Sequence, residues 1–92
     1  MECDFSFLGR RLPRAFELRV VSVEPGCEHL YVEDEWRDAI VVVEEGSIDL
    51  ETTRGACRSF DRGAILWLTG LGLRALLNRG SEPALLSAVT RR

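Results

Sequence analysis

The segment between Cys27 and Asp38 carries most of the side chains in this sequence that could do chemistry. It holds the single histidine, His29, together with Glu33 and Glu35. One imidazole and nearby carboxylates can hold Mn²⁺ or Ca²⁺, because these ions accept nitrogen and oxygen ligands. An acidic cluster on a loop is more often a solvated surface. A metal site of His29, Glu33 and Glu35 is therefore the alternative interpretation of this segment.

Arg74 is a cation inside an otherwise apolar segment, LRALL at positions 73 to 77. If this side chain faces the protein interior, its guanidinium needs a partner, and Glu33, Glu35 and Asp38 are the candidates. The pairing would be either an internal ion pair that braces the fold or part of a cationic pocket for the carboxylate or phosphate of a small ligand. Both interpretations stay open at the level of sequence.

Trp67 could line the same pocket. It alternates with Ile65 toward one side of its segment, and it would lie near Arg74 if both side chains faced inward. An aromatic ring beside a cation suits a small organic anion, although a tryptophan in a small barrel more often fills the core.

Covalent catalysis is not predicted. The three cysteines, Cys3, Cys27 and Cys57, are far apart in the chain. No general base is assigned to Cys27 or Cys57, so nucleophilic catalysis would lack its second participant. Neither a Ser-His-Asp order nor a phosphate-binding glycine loop is present. Three reduced thiols in a reducing cytoplasm are the simplest interpretation.

Composition limits the partners of the chain. With 92 residues, 46% hydrophobic and 29% charged, the sequence predicts one globular domain. A formal charge of -3 gives no basic surface for nucleic acid. The longest apolar stretch, 64 to 77, is shorter than the roughly 20 residues of a membrane helix, so we expect no membrane contact and a cytoplasmic protein.

Short apolar runs bounded by glycine and proline predict an all-β fold. Turn glycines recur at positions 46, 55, 63, 72 and 80, a spacing typical of short antiparallel strands. Glycine and β-branched residues interrupt every window long enough for a helix. About eight strands follow, with Glu33 to Asp38 as a loop: 5–8, 16–23, 30–32, 39–43, 47–52, 56–60, 64–68, 73–77 and 84–89, the first being an additional short strand in the N-terminal arm.

The N-terminal residues 1–15 are predicted to form an arm, and residues 16–92 a single barrel domain. The arm has little of its own to bury it, and the core is small. Both features favour a homodimer formed through the arm and the outer face of one sheet.

Several motifs in order resemble a small single-domain cupin. They are Pro25-Gly26, DAIVVVEEG ending at Gly46, FDRG at 60 to 63, and LRALLN ending at Asn78. The resemblance covers about residues 16 to 90 and implies a cupin-like double-stranded β-helix, a jelly-roll barrel of about eight short antiparallel strands. It also implies the metal-dependent dioxygenase and isomerase activities of that family.

The metal-ligand positions of the family hold other residues here. The glutamate position falls at Ala39, and the third histidine position falls at Arg74, whose guanidinium has no lone pair to give a metal. We therefore expect a metal-free binding or interaction module without a cofactor, which takes a small polar or anionic ligand. The predicted ligand-binding residues are Arg74, Glu35, Asp38, Trp67 and Asn78.

Two other functions stay open. One is a metal-dependent cupin enzyme, of the dioxygenase or isomerase type, that uses His29 and nearby carboxylates. The other is a purely structural or regulatory partner protein whose barrel is filled by its own side chains.

Overall fold

The computed structural model describes residues 6–9 and 11–92, and its strands closely follow the punctuation of the sequence. Within these residues there are eight strands and one short helix. Their bounds are β1 Phe16–Val23, β2 Glu28–Leu30, α1 Glu33–Trp36, β3 Ile40–Glu45, β4 Ser47–Thr52, β5 Cys57–Asp61, β6 Ile65–Leu66, β7 Leu73–Leu77 and β8 Ala84–Arg91.

The predicted bounds of β1, β4 and β7 match the observed ones. The predicted loop from Glu33 to Asp38 is wrong in part, because its first four residues form α1. A single helical turn cannot be predicted from hydrophobic periodicity, because the turn covers only one repeat of 3.6 residues. The predicted strand Phe5 to Leu8 falls partly outside the described residues, and positions 6 to 8 form irregular chain and a turn.

Two four-stranded antiparallel sheets face each other, which confirms the predicted all-β jelly roll. Sheet A has the order β1-β8-β3-β6, and sheet B has the order β2-β7-β4-β5. The strands of each sheet are therefore neighbours in space but rarely in sequence, as closed double-sheet barrels require. No helix in the described part of the chain is long and apolar enough to cross a membrane.

The space between the sheets is an apolar core. Its largest members are fully buried and come from both sheets, from α1 and from the loop after β6. They are Trp36, Val41, Val43, Ile48, Leu68, Leu76 and Leu86. The burial of these apolar side chains is the main favourable contribution to the free energy of folding of a domain this small.

The middle of the β-branched run in β3 is covered on both faces. Val41 and Val43 face the core between the sheets. Val42 faces the opposite way and is also fully buried, because Phe7 and Leu12 of the N-terminal segment pack over it. We use the name N-terminal segment for residues 6–9 and 11–15.

A buried carboxylate attaches the N-terminal segment to the outside of sheet A. Glu44 accepts hydrogen bonds from the Ser87 hydroxyl at 2.6 Å and from the Phe7 amide at 3.0 Å, and also one from the Ser6 hydroxyl. Burial raises the pKa of Glu44, but these hydrogen bonds outweigh it and lower the pKa overall. The anion is therefore the form that holds the segment in place.

The side chains of β1 alternate between two faces, and the more apolar of these faces points away from the core. Val21 and Val23 contact the core between the sheets, whereas Leu18 belongs to the cluster under the N-terminal segment. Phe16 and Val20 share the outward face with Leu18 and stay 37% and 47% exposed. The outside of sheet A is thus unusually apolar.

Replacing Gly46 by alanine should destabilise the fold more than the same change at Gly55. Both residues have positive φ, at 72° and 90°, so each substitution costs about 1 kcal/mol from backbone strain. A Cβ at Gly46 would also lie 2.5 Å from the Pro83 carbonyl oxygen, whereas at Gly55 it meets nothing within 4 Å. Overpacking of this kind adds about 1 to 3 kcal/mol.

Urea unfolding of Gly46→Ala and Gly55→Ala measures this difference in the free energy of unfolding. Equal losses in the two variants would contradict the close approach of Gly46 to Pro83.

Candidate functional site

An extra residue in β7 decides where Arg74 points. In the pairing of β4 with β7, Glu51 lies opposite Ala75 and the next residue, Thr52, lies opposite Leu73. Arg74 therefore has no partner position of its own on β4. This is a β-bulge, which changes the face that a side chain occupies.

The bulge puts Arg74 on the outer face of sheet B. Leu73 and Leu76 are three residues apart and both belong to the core, which a regular strand with period two could not achieve. The Arg74 guanidinium contacts Glu28 of β2, with Nη2 to Oε2 at 3.0 Å, and its Nε donates to Glu51 of β4. The hydrogen bonds that Arg74 donates to the carboxylates of Glu28 and Glu51 raise the pKa of its guanidinium.

The predicted partners of Arg74 are therefore wrong. The candidates lie on or beside α1 and do not pair with Arg74: Glu33, Glu35 and Asp38. Its partners are Glu28 and Glu51. The physical reason is the cost of burying a guanidinium, which the bulge avoids by placing the charge in solvent. The structure does not bring Arg74 and the acidic segment into one pocket inside the barrel.

Glu35 instead joins β1 to β2 at one seam between the sheets. Its Oε1 lies 2.9 Å from His29 Nε2, and its Oε2 lies 3.2 Å from Arg19 Nη1. Partial burial raises the pKa of Glu35, but the hydrogen bonds and charges of His29 and Arg19 prevail and lower it overall. We call Arg19, His29, Glu35 and the adjacent Trp36 the seam cluster.

Trp36 forms the apolar floor of the seam cluster. It is fully buried, with the Arg19 guanidinium 5.1 Å from the centroid of its ring and the His29 ring edge-on at 6.0 Å. Its indole Nε1 is buried without a hydrogen-bond partner in the described residues. Sequence reasoning missed Arg19, although its polar position in β1 was a signal that this face meets other charges.

The donors that could hold a metal do not converge. Tyr31 donates a hydrogen bond from its hydroxyl to Glu33 Oε1 at 2.6 Å, and burial together with Glu33 raises the pKa of Tyr31. His29 meets Glu35 but not Glu33. Among residues 6–9 and 11–92, no group of three or more His, Cys, Asp or Glu side chains is placed to hold an ion. The residues present therefore do not fit the metal centre that the resemblance implies.

The other three predicted site residues lie apart from one another. Asp38 is exposed after α1, and its amide donates to Thr69 Oγ1 at 3.0 Å. Trp67 follows β6 and is 51% exposed, so it is not inside the barrel near Arg74 as expected.

Asn78 is buried and fully engaged in local contacts. Its Nδ2 donates to the carbonyls of Val23 at 2.9 Å and Glu82 at 2.7 Å, and its Oδ1 accepts from the Gly80 amide at 2.9 Å. These bonds fix the turn between β7 and β8. Whether Asn78 or any other predicted site residue binds a ligand stays a prediction.

An apolar cavity of about 200 Å³ opens beside β4, β5 and β7. Its lining includes Leu50 and Leu73, which belong to the core, and Phe60, which packs against it. Leu71, Thr52, Ala56, Cys57 and Arg58 complete the wall. Sequence reasoning did not find this cavity, because its residues come from separate strands that carry no joint motif.

Solved structures with a similar fold are cupin domains. The cupin domain of an XRE-family transcriptional regulator from Enterobacter cloacae is 20% identical, with a TM-score of 0.64 over 85% of this chain and 82% of that one. A cupin domain from Bordetella pertussis is 17% identical, with a TM-score of 0.61 over 90% and 88%.

A sugar phosphate isomerase of the cupin superfamily from Silicibacter pomeroyi is 26% identical over 85% of this chain, with a TM-score of 0.62. This chain spans only 51% of the length of that enzyme. No protein-family model matches the sequence, and no curated protein matches it. The shared feature is therefore the barrel itself.

The Glu35→Gln variant should lose stability at neutral pH, because it removes the charge that holds Arg19 and His29. We expect a loss of about 1 to 2 kcal/mol at pH 7 in the free energy of unfolding. The pKa of Glu35 is lower in the folded chain than its ordinary value of 4.5. Its contribution is therefore present above that value and disappears as the pH falls through the folded pKa.

The measurement is urea unfolding of wild type and Glu35→Gln between pH 7 and pH 3. The gap between the two proteins should narrow on acidification. Asp34→Asn is the matched control, because its ion pair with Arg37 is largely exposed and should matter little. A gap that stays constant with pH would refute the role of the Glu35 anion.

Proposed function

The chain is a small cupin domain, and from this premise we propose that it is a metal-free binding module that works as a homodimer. The barrel takes a small molecule in the apolar cavity beside β5, and the outside of sheet A pairs with a second copy. The observation that carries the proposal is the cavity, because space is scarce in so small a barrel.

Protein interiors are packed as densely as organic crystals, so an open apolar space in a barrel wall is informative. The cavity wall includes core residues such as Leu50 and Leu73, so an occupant would touch the core directly. Concave apolar surfaces with few polar groups are the usual sites for small molecules. A volume near 200 Å³ limits the occupant to roughly one aromatic ring.

We propose a module without a metal because the side chains that could bind an ion do not converge on one point. His29 is engaged by Glu35, and Glu33 by Tyr31. A divalent transition metal would need several such donors converging on one point. The roles predicted for Arg74, Glu35, Asp38, Trp67 and Asn78 in binding a polar ligand are not part of this proposal.

The outside of sheet A supports the homodimer. On this face, residues that lie opposite one another in neighbouring strands form two rows that run across the sheet. Neither row contains a charged side chain. The first row is Leu18, Val89 and Ile40, continued by Trp67; the second is Val20, Ser87, Val42 and Ile65. Val20, Ile40, Ile65 and Trp67 are 47%, 43%, 58% and 51% exposed. Several exposed apolar side chains on one face of a sheet are typical of an interaction site.

A second copy is the occupant that this face suits best. A two-fold dimer brings the same patch of both chains together, so like charges in the patch would repel. Each chain carries a net charge of -3, yet these two rows contribute none of it. The N-terminal segment, held by Glu44, covers Val42 and Val89 in the middle of these rows and adds the exposed Leu8 to the face.

Ligand binding can be tested with two small probes, benzyl alcohol and benzoate, titrated against ¹⁵N-labelled protein. Saturable shifts of the amide signals of Leu50, Phe60, Leu71 and Leu73 are expected with at least one probe. Ala56→Phe should fill the cavity and abolish the shifts, while Ala56→Ser keeps them. Absence of saturable shifts with both probes would remove the ligand-binding proposal.

The homodimer can be tested by sedimentation equilibrium at micromolar concentration. Wild type should have twice the mass of the 10.4 kDa chain, and the double variant Ile65→Glu, Trp67→Glu should have the mass of one chain. Leu30→Glu is the matched control, since Leu30 is 59% exposed on the other sheet. A monomeric wild type, or equal disruption by Leu30→Glu, would exclude this interface.

A further inference from the structure

Arg58 stands at the rim of the apolar cavity, on the inner face of β5. It lies opposite Leu50 in the pairing of β4 with β5, and residues opposite each other in an antiparallel pair share a face. Leu50 belongs to the core. The Arg58 guanidinium carbon lies 5.5 Å from the centroid of the Phe60 ring, and Arg58 and Phe60 both line the cavity.

The charge of Arg58 has no carboxylate partner among the described residues, unlike the charges of several other arginines. Arg19 pairs with Glu35, Arg37 with Asp34, Arg74 with Glu28 and Glu51, and Arg79 with Asp49. In β4 and β5, the acidic side chains nearest in register, Asp49 and Glu51, pair with other arginines on the outer face of sheet B. Within residues 6–9 and 11–92, Arg58 is thus a cation without a carboxylate partner beside an apolar space.

The size of the cavity restricts what can meet this cation. An apolar cavity of about 150 Å³ holds one benzene molecule, so about 200 Å³ admits one ring or a branched chain of similar size. The mainly aromatic and aliphatic lining favours an apolar body over a sugar, since the hydroxyls of a sugar would find few hydrogen-bond partners there. One guanidinium matches one carboxylate in charge and in its two-pronged geometry.

We infer that the cavity binds a small apolar monocarboxylate, with its ring or branched chain against Leu50, Phe60 and Leu73 and its carboxylate on Arg58. The inference rests on the proposed function and names the ligand class of the same site. Arg58 acts as the specificity residue: the apolar wall supplies binding to any small apolar body, and the guanidinium selects the anion.

The experiment compares benzoate with benzyl alcohol, which has a similar body without the charge, by NMR titration of wild type, Arg58→Gln and Arg54→Gln. Arg54 lies in the exposed turn between β4 and β5, outside the cavity wall, so its variant has the same net charge as Arg58→Gln. Wild type and Arg54→Gln should bind benzoate about fivefold to tenfold more tightly than benzyl alcohol. Arg58→Gln should reduce that preference to less than twofold.

Salt gives a second measurement that does not depend on the variant. Salt screens the attraction between the guanidinium and a carboxylate. The affinity of wild type for benzoate should therefore fall when the salt concentration rises from about 20 to about 500 mM. The affinity for benzyl alcohol, which has no charge, should not fall. Equal wild-type affinities for the two probes, or an undiminished preference in Arg58→Gln, would overturn the inference and leave the ligand-binding proposal standing. Failure of both probes to bind would overturn both.

Discussion

The charge of Arg74 cannot stay inside this barrel, and much of the molecule follows from that constraint. Burying an unpaired guanidinium costs several kcal/mol, a large part of the stability of any small domain. The bulge in β7 resolves the conflict by turning the side chain to the outer face, between Glu28 and Glu51. Leu73 and Leu76 can then both face the core. The interior stays apolar, and the position that the family resemblance assigns to a metal ligand is directed into solvent.

With the interior apolar, the polar chemistry of the barrel lies at the places where the two sheets meet. At one seam, Glu35 links Arg19 to His29 over Trp36, and every charge there has a partner. At the β5 edge the wall is open, and Arg58 faces an apolar cavity without a carboxylate among the described residues. The first arrangement closes the barrel. The second leaves both space and charge for a molecule from outside.

Sequence reasoning recovered the fold because strand length and punctuation are local properties. The bounds of β1, β4 and β7 follow from turn residues and from side-chain period alone. The site was harder to predict from the sequence, because one inserted residue in a strand changes the face of the sheet on which a side chain lies. Alternation in LRALL cannot reveal the bulge at Arg74, which exists only relative to β4. Likewise Arg58 and Phe60 become neighbours of Leu50 only once register is fixed.

The outer faces of the two sheets differ in a way that lets both proposed activities coexist. Sheet B exposes ion pairs such as Arg74 with Glu28 and Arg79 with Asp49, a surface that water solvates well. Along the two uncharged rows described above, sheet A exposes apolar side chains instead, including Ile65. The cavity is lined by strands of sheet B and by the chain before β7. A second copy placed on sheet A would therefore leave the cavity open, so dimerisation need not compete with a ligand.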